Sequence, residues 1–354
     1  MSNQKTKTAT IKAYEFTTPK FSGDMQYEHT FDSELMILLF RTIMKLDKSK
    51  RKYTNETVSL NLGKFQQSDD ANFVEGHFIT ARHGVRRTQI DVHSQEEVGT
   101  IESYHGVEYN VNFMIDRNTG LLLVQEDFNK VFSRKLLHTF LHLHKNLIYP
   151  YIDEFNKLNK SHPFIIHKRS CYRLQTLPPI NFMDKLQEFQ KVKSAVLTLD
   201  DTTDKSDVDV SETLDAELQN NEIEDYDMEI KIKNKTGRSM VKVFERYFES
   251  IIVQQKYDSY AIEGVLENGK TKKITPDTIT RDFYAQVSHN SNGIPSIDDI
   301  FNRMIDIIKN ENPLADKGGT PNITPVGENV NVKAEIEKKV SERNQDKAHQ
   351  EQTV

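Results

Sequence analysis

The chain has no tryptophan and a single cysteine, Cys171, in 354 residues. One cysteine excludes an intrachain disulfide and any cysteine-rich zinc site, and it points to a cytosolic protein. His167, Lys168, Arg169 and Arg173 stand close enough in sequence to lower that thiol's pKa, but the preferred reading is a buried structural thiol on a strand. No apolar run approaches the roughly 20 residues needed to span a bilayer. The leader MSNQKTKTAT has no apolar stretch after its basic residues, so a signal peptide is not expected. A basic surplus is also missing. The net charge of −6 argues against a protein that coats nucleic acid through its overall field, and leaves room only for a local basic groove.

The common chemical signatures are absent as well. There is no GxxxxGKS/T loop, no GxGxxG after a strand, no GxSxG elbow and no paired cysteine motif, so nucleotide, hydrolase and zinc-finger readings lack support. Hydrophobic residues reach only 36%, a deficit concentrated in a few polar stretches. At roughly 100 to 200 residues per domain, the length predicts two domains plus tails.

What is present reads as an α+β fold with a mixed or antiparallel sheet and packed helices. IKAYEFT (Ile11 to Thr17) alternates like a strand, and Asp32 or Ser33 can cap the helix that follows through Leu35, Leu38, Leu39 and Ile43. Strands are expected near Thr57 to Phe65 and Asn72 to Gly84, then a polar loop from Arg86 to Gly106. Val107 to Asp127 is a hairpin turning at Asp116-Arg-Asn-Thr-Gly120, where Asn118 and Gly120 tolerate positive φ. A helix capped by Ser133 continues to about Leu158. Further expected elements are a strand in FIIHKRSCYRL, a short helix near Asn181 and a strand in SAVLTLD.

Between Asp200 and Glu229, thirteen acidic residues stand against one lysine, Lys205, which is the composition of a solvated linker. The expected division is an N-terminal domain over 8–199, an acidic linker over 200–226, a C-terminal α+β domain over 227–311 and a disordered tail over 312–354. The C-terminal domain would hold the strand MEIKIKNK, the helix SMVKVFERYFESIIVQQ, a hairpin turning at Asn268-Gly269, the strand TITRDFYAQVSHN and a helix capped by Ser296. In the tail, at most a transient helix is expected near Glu335 to Arg343.

Three clusters could carry chemistry. LLHTFLHLHK places His138, His142 and His144 within seven positions. At 100° per residue the leucines and Phe140 fill an arc of roughly 160°, His138 and His142 fall on the opposite, polar face, and His144 falls within the apolar arc. The three cannot converge on one ion, and Thr139 stands where HExxH needs glutamate, so no metal site is read here; His144 is expected to be a hydrogen-bonded core residue. Glu229 and Lys231 form an ExK pair on one strand face, which metal-dependent nucleases use with a further acid, here Asp201 or Asp200; the alternative is an exposed strand with a cross-strand charge pair. Arg82, Arg86 and Arg87 form a basic loop able to grip phosphates, with Lys168 and Arg169 as a second strip and Phe78 or Tyr104 nearby to stack on bases; the alternative is a solvated loop.

The block from Val107 to Lys145, a strand, D-x-N-x-G, LLLVQED and then FNKVFSRKLLHTFLHLHK, resembles the middle of a family of bacterial proteins carried by prophages and mobile elements. The order of strand, helix, sheet, long helix, acidic break and ENGK hairpin is similar to Rex A-like phage-exclusion, or abortive-infection, proteins of lambdoid prophages. By architecture the similarity covers Thr8 to Asn310. It implies antiviral defence and DNA binding as a homodimer, and it carries over no catalytic residue. The resulting expectation is a cytoplasmic, non-catalytic defence protein, with no cofactor, that binds DNA or a phage protein and works alone or with a partner chain. The alternatives are a metal-dependent nuclease using Asp201, Glu229 and Lys231, and a protein-interaction module.

Overall fold

The computed structural model describes residues 6–21, 27–28, 30–160, 165–179, 182–199, 228–235, 259–275, 280–289, 295–314 and 324–346. In chain order these form β1 (Thr6–Thr17), β2 (Lys20–Phe21), β3 (Tyr27–Glu28), α1 (Ser33–Met44), β4 (Lys52–Thr54), β5 (Val58–Gln67) and β6 (Phe73–Arg82). Next come β7 (Arg87–Ile90), β8 (Glu97–Ile101), β9 (Val107–Asp116), β10 (Leu121–Gln125), α2 (Arg134–His144), a 3-10 turn (Lys145–Ile148), α3 (Tyr149–Leu158) and β11 (Arg173–Thr176). The remainder is α4 (Phe182–Gln187), β12 (Phe189–Leu199), β13 (Met228–Lys233), β14 (Ser259–Leu266), β15 (Thr271–Ile274), β16 (Asp282–Ser288), α5 (Ile297–Asn310) and α6 (Val330–Gln345). The fold is α+β with antiparallel sheets. No helix among the described residues is long and apolar enough to cross a membrane.

Local chemistry sets the main elements. The Asp32 carboxylate accepts the Leu35 N–H at 3.1 Å and starts α1, which buries Leu35, Met36, Leu39, Phe40 and Ile43. The Ser133 hydroxyl does the same for α2. The α2 helix stops at His144, and Pro150 lies in the first turn of α3, so the single long helix expected from the leucine pattern is two helices joined by a 3-10 turn. In the β9–β10 turn, the Asp116 carboxylate accepts from the Asn118 N–H at 3.0 Å and the Thr119 hydroxyl at 2.6 Å. Gly120 sits at φ +78°, and a side chain there would strike the Phe16 carbonyl oxygen and the Phe31 ring.

The principal sheet has eight strands in the order β11-β1-β10-β9-β6-β5-β4, with β16 also paired to β1. One edge of β1 pairs with β10; the other pairs with β11 along Tyr14–Thr17 and with β16 along Thr6–Lys12. One sheet face packs on α1, α2 and α3 through a core that holds Phe16, Phe40, Phe78, Phe113 and Phe140. The Phe78 and Phe113 rings stack at 4.5 Å. The other face carries Ile11, Ala13, Met114, Leu121 and Leu123 against Ile300, Met304 and Ile307 of α5.

The second sheet, β13-β12-β14-β15, lies in sequence between β11 and β16. Its inner face is Val192, Ala195, Leu197, Ile262 and Ile274, and its last hairpin turns at Asn268-Gly269 with Gly269 at φ +78°. The chain leaves the principal sheet at Leu177 and rejoins it at Arg281, where the Arg281 N–H donates to the Leu177 carbonyl at 2.8 Å. The expected domain limits of 8–199 and 227–311 therefore do not match the topology: β12 belongs to the second sheet, while β16 and α5 complete the first. Apolar alternation identifies a strand but does not choose its partner, and β1 offers an open edge that only β16 fills beside β11. The acidic linker over 200–226 and the helix expected around 239–255 lie outside the described residues.

The tail expected to be disordered contains α6. Its Val332, Ile336 and Val340 form an i, i+4, i+8 stripe buried against the first core. Polar contacts hold its two ends: Asn159 pairs with the Thr324 backbone in both directions, and Asn344 accepts the Asp47 N–H at 3.0 Å. The Arg343 Nη2 donates to the Leu143 carbonyl at 3.0 Å near the end of α2.

His144 sits beneath this contact and is fully buried, with its ring edge-on to Phe140 at 5.0 Å. Neither ring nitrogen has a hydrogen-bond partner among the described residues, which corrects the expectation of a hydrogen-bonded core histidine. Burial, aided by the Arg343 charge, lowers its pKa from 6.5 to about 3. The folded chain thus keeps the ring neutral while the unfolded chain protonates it near 6.5. This stabilisation is complete above pH 6.5 and declines as pH falls toward 3. Urea unfolding of wild type and His144→Leu should show the wild type losing about 2 kcal/mol more than the variant between the unfolded-state pKa and roughly pH 5. Parallel pH profiles would refute the assignment.

Candidate functional site

The β6–β9 ladder runs from Phe73 opposite Asp116 to Arg82 opposite Val107, and there the chain leaves the sheet. The His83 N–H donates to the Thr57 carbonyl at 3.0 Å and the Gly84 N–H to the Ser103 carbonyl at 2.6 Å, closing the root of a projecting arm. Gly84 has φ +90°, and a Cβ there would collide with the Glu56 carbonyl oxygen. Beyond this root β7 and β8 form a two-stranded antiparallel ribbon, with Arg87 opposite Ile101 and Thr88 opposite Thr100. At its tip the Asp91 carboxylate accepts the His93 and Ser94 N–H groups at 2.9 and 2.8 Å, which holds its pKa below the ordinary range.

Among the described residues this arm has no core of its own. Every side chain of β7 is exposed, and the exposed apolar residues of the described chain concentrate here: Val85, Ile90, Val92, Val98 and Tyr104 are each at least 50% exposed. Val107 and Phe128 add apolar surface at the root. A lone two-stranded hairpin is at best marginally stable in water, and a cluster of exposed apolar side chains marks an interaction site. Between His83 and Gly106 the arm carries four carboxylates (Asp91, Glu96, Glu97 and Glu102) against two guanidiniums, Arg86 and Arg87.

The residues expected to bind nucleic acid have separate fates. The exposed Arg82 guanidinium is tied to backbone, donating from Nε to the Asn129 carbonyl at 2.7 Å and from Nη2 to the Lys130 carbonyl at 2.9 Å. Arg86 lies 3.6 Å from Glu102, and Arg87 begins β7 on the arm. Lys168 pairs with Asp153 at 2.7 Å and lies over the Tyr149 ring. Arg169 is half-buried, and its carbonyl accepts from Lys145 Nζ at 3.0 Å. The arm root thus gathers Arg82, Arg86 and Arg87, whereas Lys168 and Arg169 belong to the connection between α3 and β11.

Glu229 and Lys231 are exposed on one face of β13, opposite Thr198 and Val196 of β12; Asp201 and Asp200 lie outside the described residues. Cys171 is fully buried as expected, but it precedes β11 (Arg173–Thr176) instead of lying on a strand. His138 and His142 are half-buried with rings 5.9 Å apart, and His138 packs near Tyr172, so their face is less open than the helical wheel predicts. Among the described residues no three His, Cys, Asp or Glu side chains are placed to hold a metal ion.

An open cavity of about 630 Å³ lies where the β5–β6 and β9–β10 turns meet the end of α5, lined in part by Asp70, Asn118, Lys309 and Asn312. Its charged groups are largely satisfied within the wall: Lys309 pairs with Asp70 at 3.1 Å, and Asp116 accepts from Asn312 at 3.1 Å.

The arm strands are what the sequence reading missed, since 86–106 reads there as a polar loop. The available signal was the group of β-branched residues Thr88, Ile90 and Val92, answered by Val98, Thr100 and Ile101 across Asp91–Glu96. Arg82 and Arg87 are both exposed, but only Arg82 ties down backbone carbonyls. Arg82→Ala should cost about 1 to 2 kcal/mol in urea unfolding by freeing two carbonyls, whereas Arg87→Ala should stay within about 0.5 kcal/mol of wild type. Equal effects would overturn the distinction. No protein-family model matches this chain, and no curated protein matches it.

Proposed function

We propose that the chain is a non-catalytic binding protein whose docking element is the arm from His83 to Gly106, and that its partner on the arm is another protein chain. The observation that carries this reading is the exposure of Ile90, Val92 and Val98 on a ribbon with no core beneath it among the described residues. Its acidic surplus favours protein over nucleic acid, because carboxylates repel phosphates. Arg82 already donates to the Asn129 and Lys130 carbonyls, which leaves fewer of its donors for phosphate contact.

The resemblance of Val107 to Lys145 to bacterial prophage proteins, and of the order of elements to Rex A-like proteins, supplies the setting: cytoplasmic phage defence or superinfection exclusion. A second reading, the ExK nuclease, draws on the shared exposed face of Glu229 and Lys231.

Plating a phage panel on cells that express the chain separates these readings. Wild type should reduce plaque formation, Ile90→Glu/Val98→Glu should restore plating to the empty-vector level, and Glu229→Ala should protect like wild type. Loss of protection in Glu229→Ala with retention in the arm variant would overturn the proposal, as would absence of protection by wild type. In mobility-shift gels, salt-sensitive DNA binding abolished by Arg86→Ala/Arg87→Ala would replace the protein partner with nucleic acid.

A further inference from the structure

We propose that α6 is an acid-released latch: protonation of His144 and departure of α6 from the first core are one coupled event. The inference does not depend on the arm.

It starts from a buried ring with nothing to bond. His144 ends α2 and is fully buried, and neither of its nitrogens meets a hydrogen-bond partner among the described residues. Buried polar groups in folded proteins are nearly always paired, and an apolar side chain would fill the same position without leaving two nitrogens unsatisfied. What distinguishes the position is its cover. The Arg343 guanidinium of α6 donates from Nη2 to the Leu143 carbonyl at 3.0 Å and from Nη1 to the Asn146 amide oxygen at 3.3 Å, so it grips the chain on either side of His144.

The charges around the ring oppose a proton. Arg343 acts on it from α6, and the next residue, in the 3-10 turn, is the buried Lys145, whose ammonium donates to the Arg169 carbonyl at 3.0 Å. From α2 the ring meets Phe140, edge-on at 5.0 Å. The acid near the end of α6, Asp346, acts on Arg343, and among the described residues no carboxylate offsets the cations at His144. A protonated ring and a docked α6 therefore disfavour each other.

Of the elements around His144, α6 is lightly held. Its 16 residues bury only Val332, Ile336 and Val340, and its other contacts include exposed polar ones such as Lys45 with Glu337 at 3.3 Å and the Asp47 N–H with Asn344 at 3.0 Å. A helix of this length is marginal without packing, and exposed ion pairs add little. Opening it locally asks far less than unfolding the sheet. Release returns the ring toward its ordinary pKa of 6.5, against about 3 when covered. Docking is thus complete above pH 6.5 and weakens as pH falls toward 3, and between pH 7.5 and 5 its equilibrium constant should drop about thirtyfold. What release uncovers is apolar: the stripe of α6 and the part of the first core carried by the 3-10 turn and α3.

Hydrogen–deuterium exchange of the full chain, read by mass spectrometry from pH 7.5 to 5 and corrected for intrinsic exchange, tests the coupling. Carboxylates ordinarily titrate at about pH 4, below this range, so the scan reads histidine. Peptides spanning α6 should lose about thirtyfold of their protection while those of β9 and β10 keep theirs. In His144→Leu the protection of α6 should not change with pH. Constant α6 protection in wild type would overturn the proposal without recourse to any variant. Equal losses in α6, β9 and β10 would also overturn it, because they mark global unfolding, and so would a pH dependence that survives in His144→Leu.

Discussion

The pairing of β1 on both of its edges is the constraint on which the remaining architecture depends. Twelve residues, Thr6–Thr17, meet β10 on one side and both β11 and β16 on the other. The same strand is buried on both faces, with Tyr14 and Phe16 in one core and Ile11 and Ala13 in the other. A strand in that position is satisfied only when segments far apart in sequence reach it. Its shared edge therefore draws the chain out at Leu177 and back at Arg281, and the second sheet is what the intervening chain builds.

With the centre fixed this way, the opposite side of the sheet is freer to diversify. The strands β6 and β9 continue as a tight ladder as far as Arg82 and Val107, and Arg82 ties the 129–130 backbone to that corner. The arm then projects beyond the last core residues. Rigid support below and, among the described residues, strands paired on one edge only above is the arrangement expected of a recognition element, because the scaffold bears the entropic cost of positioning. The binding reading draws on that contrast.

Much of the local structure was legible in the sequence. The Asp32 cap, the Ser133 cap, the Asp116 to Gly120 turn and the Asn268-Gly269 turn are each set by one side chain or one missing Cβ, and each is where the residues place it. The placement of His144 in the core followed from helical periodicity, but its lack of a hydrogen-bond partner depends on what packs over it. The arm was missed because strands that bury nothing show no strong apolar alternation, and helix α6 was read as no more than transient over Glu335 to Arg343 because its stripe of three apolar residues sits in a strongly polar segment.

By itself, then, the sequence determined the α+β class, the caps, the turns and which positions are apolar, since these are properties of neighbouring residues. Only the tertiary structure decided that β16 and α5 complete the first sheet, that α6 covers the first core, and that Arg82 is bonded to the 129–130 backbone while Arg87 is displayed on the arm. Those outcomes depend on which distant segment fills an open edge or face, and a local pattern carries no information about its partner.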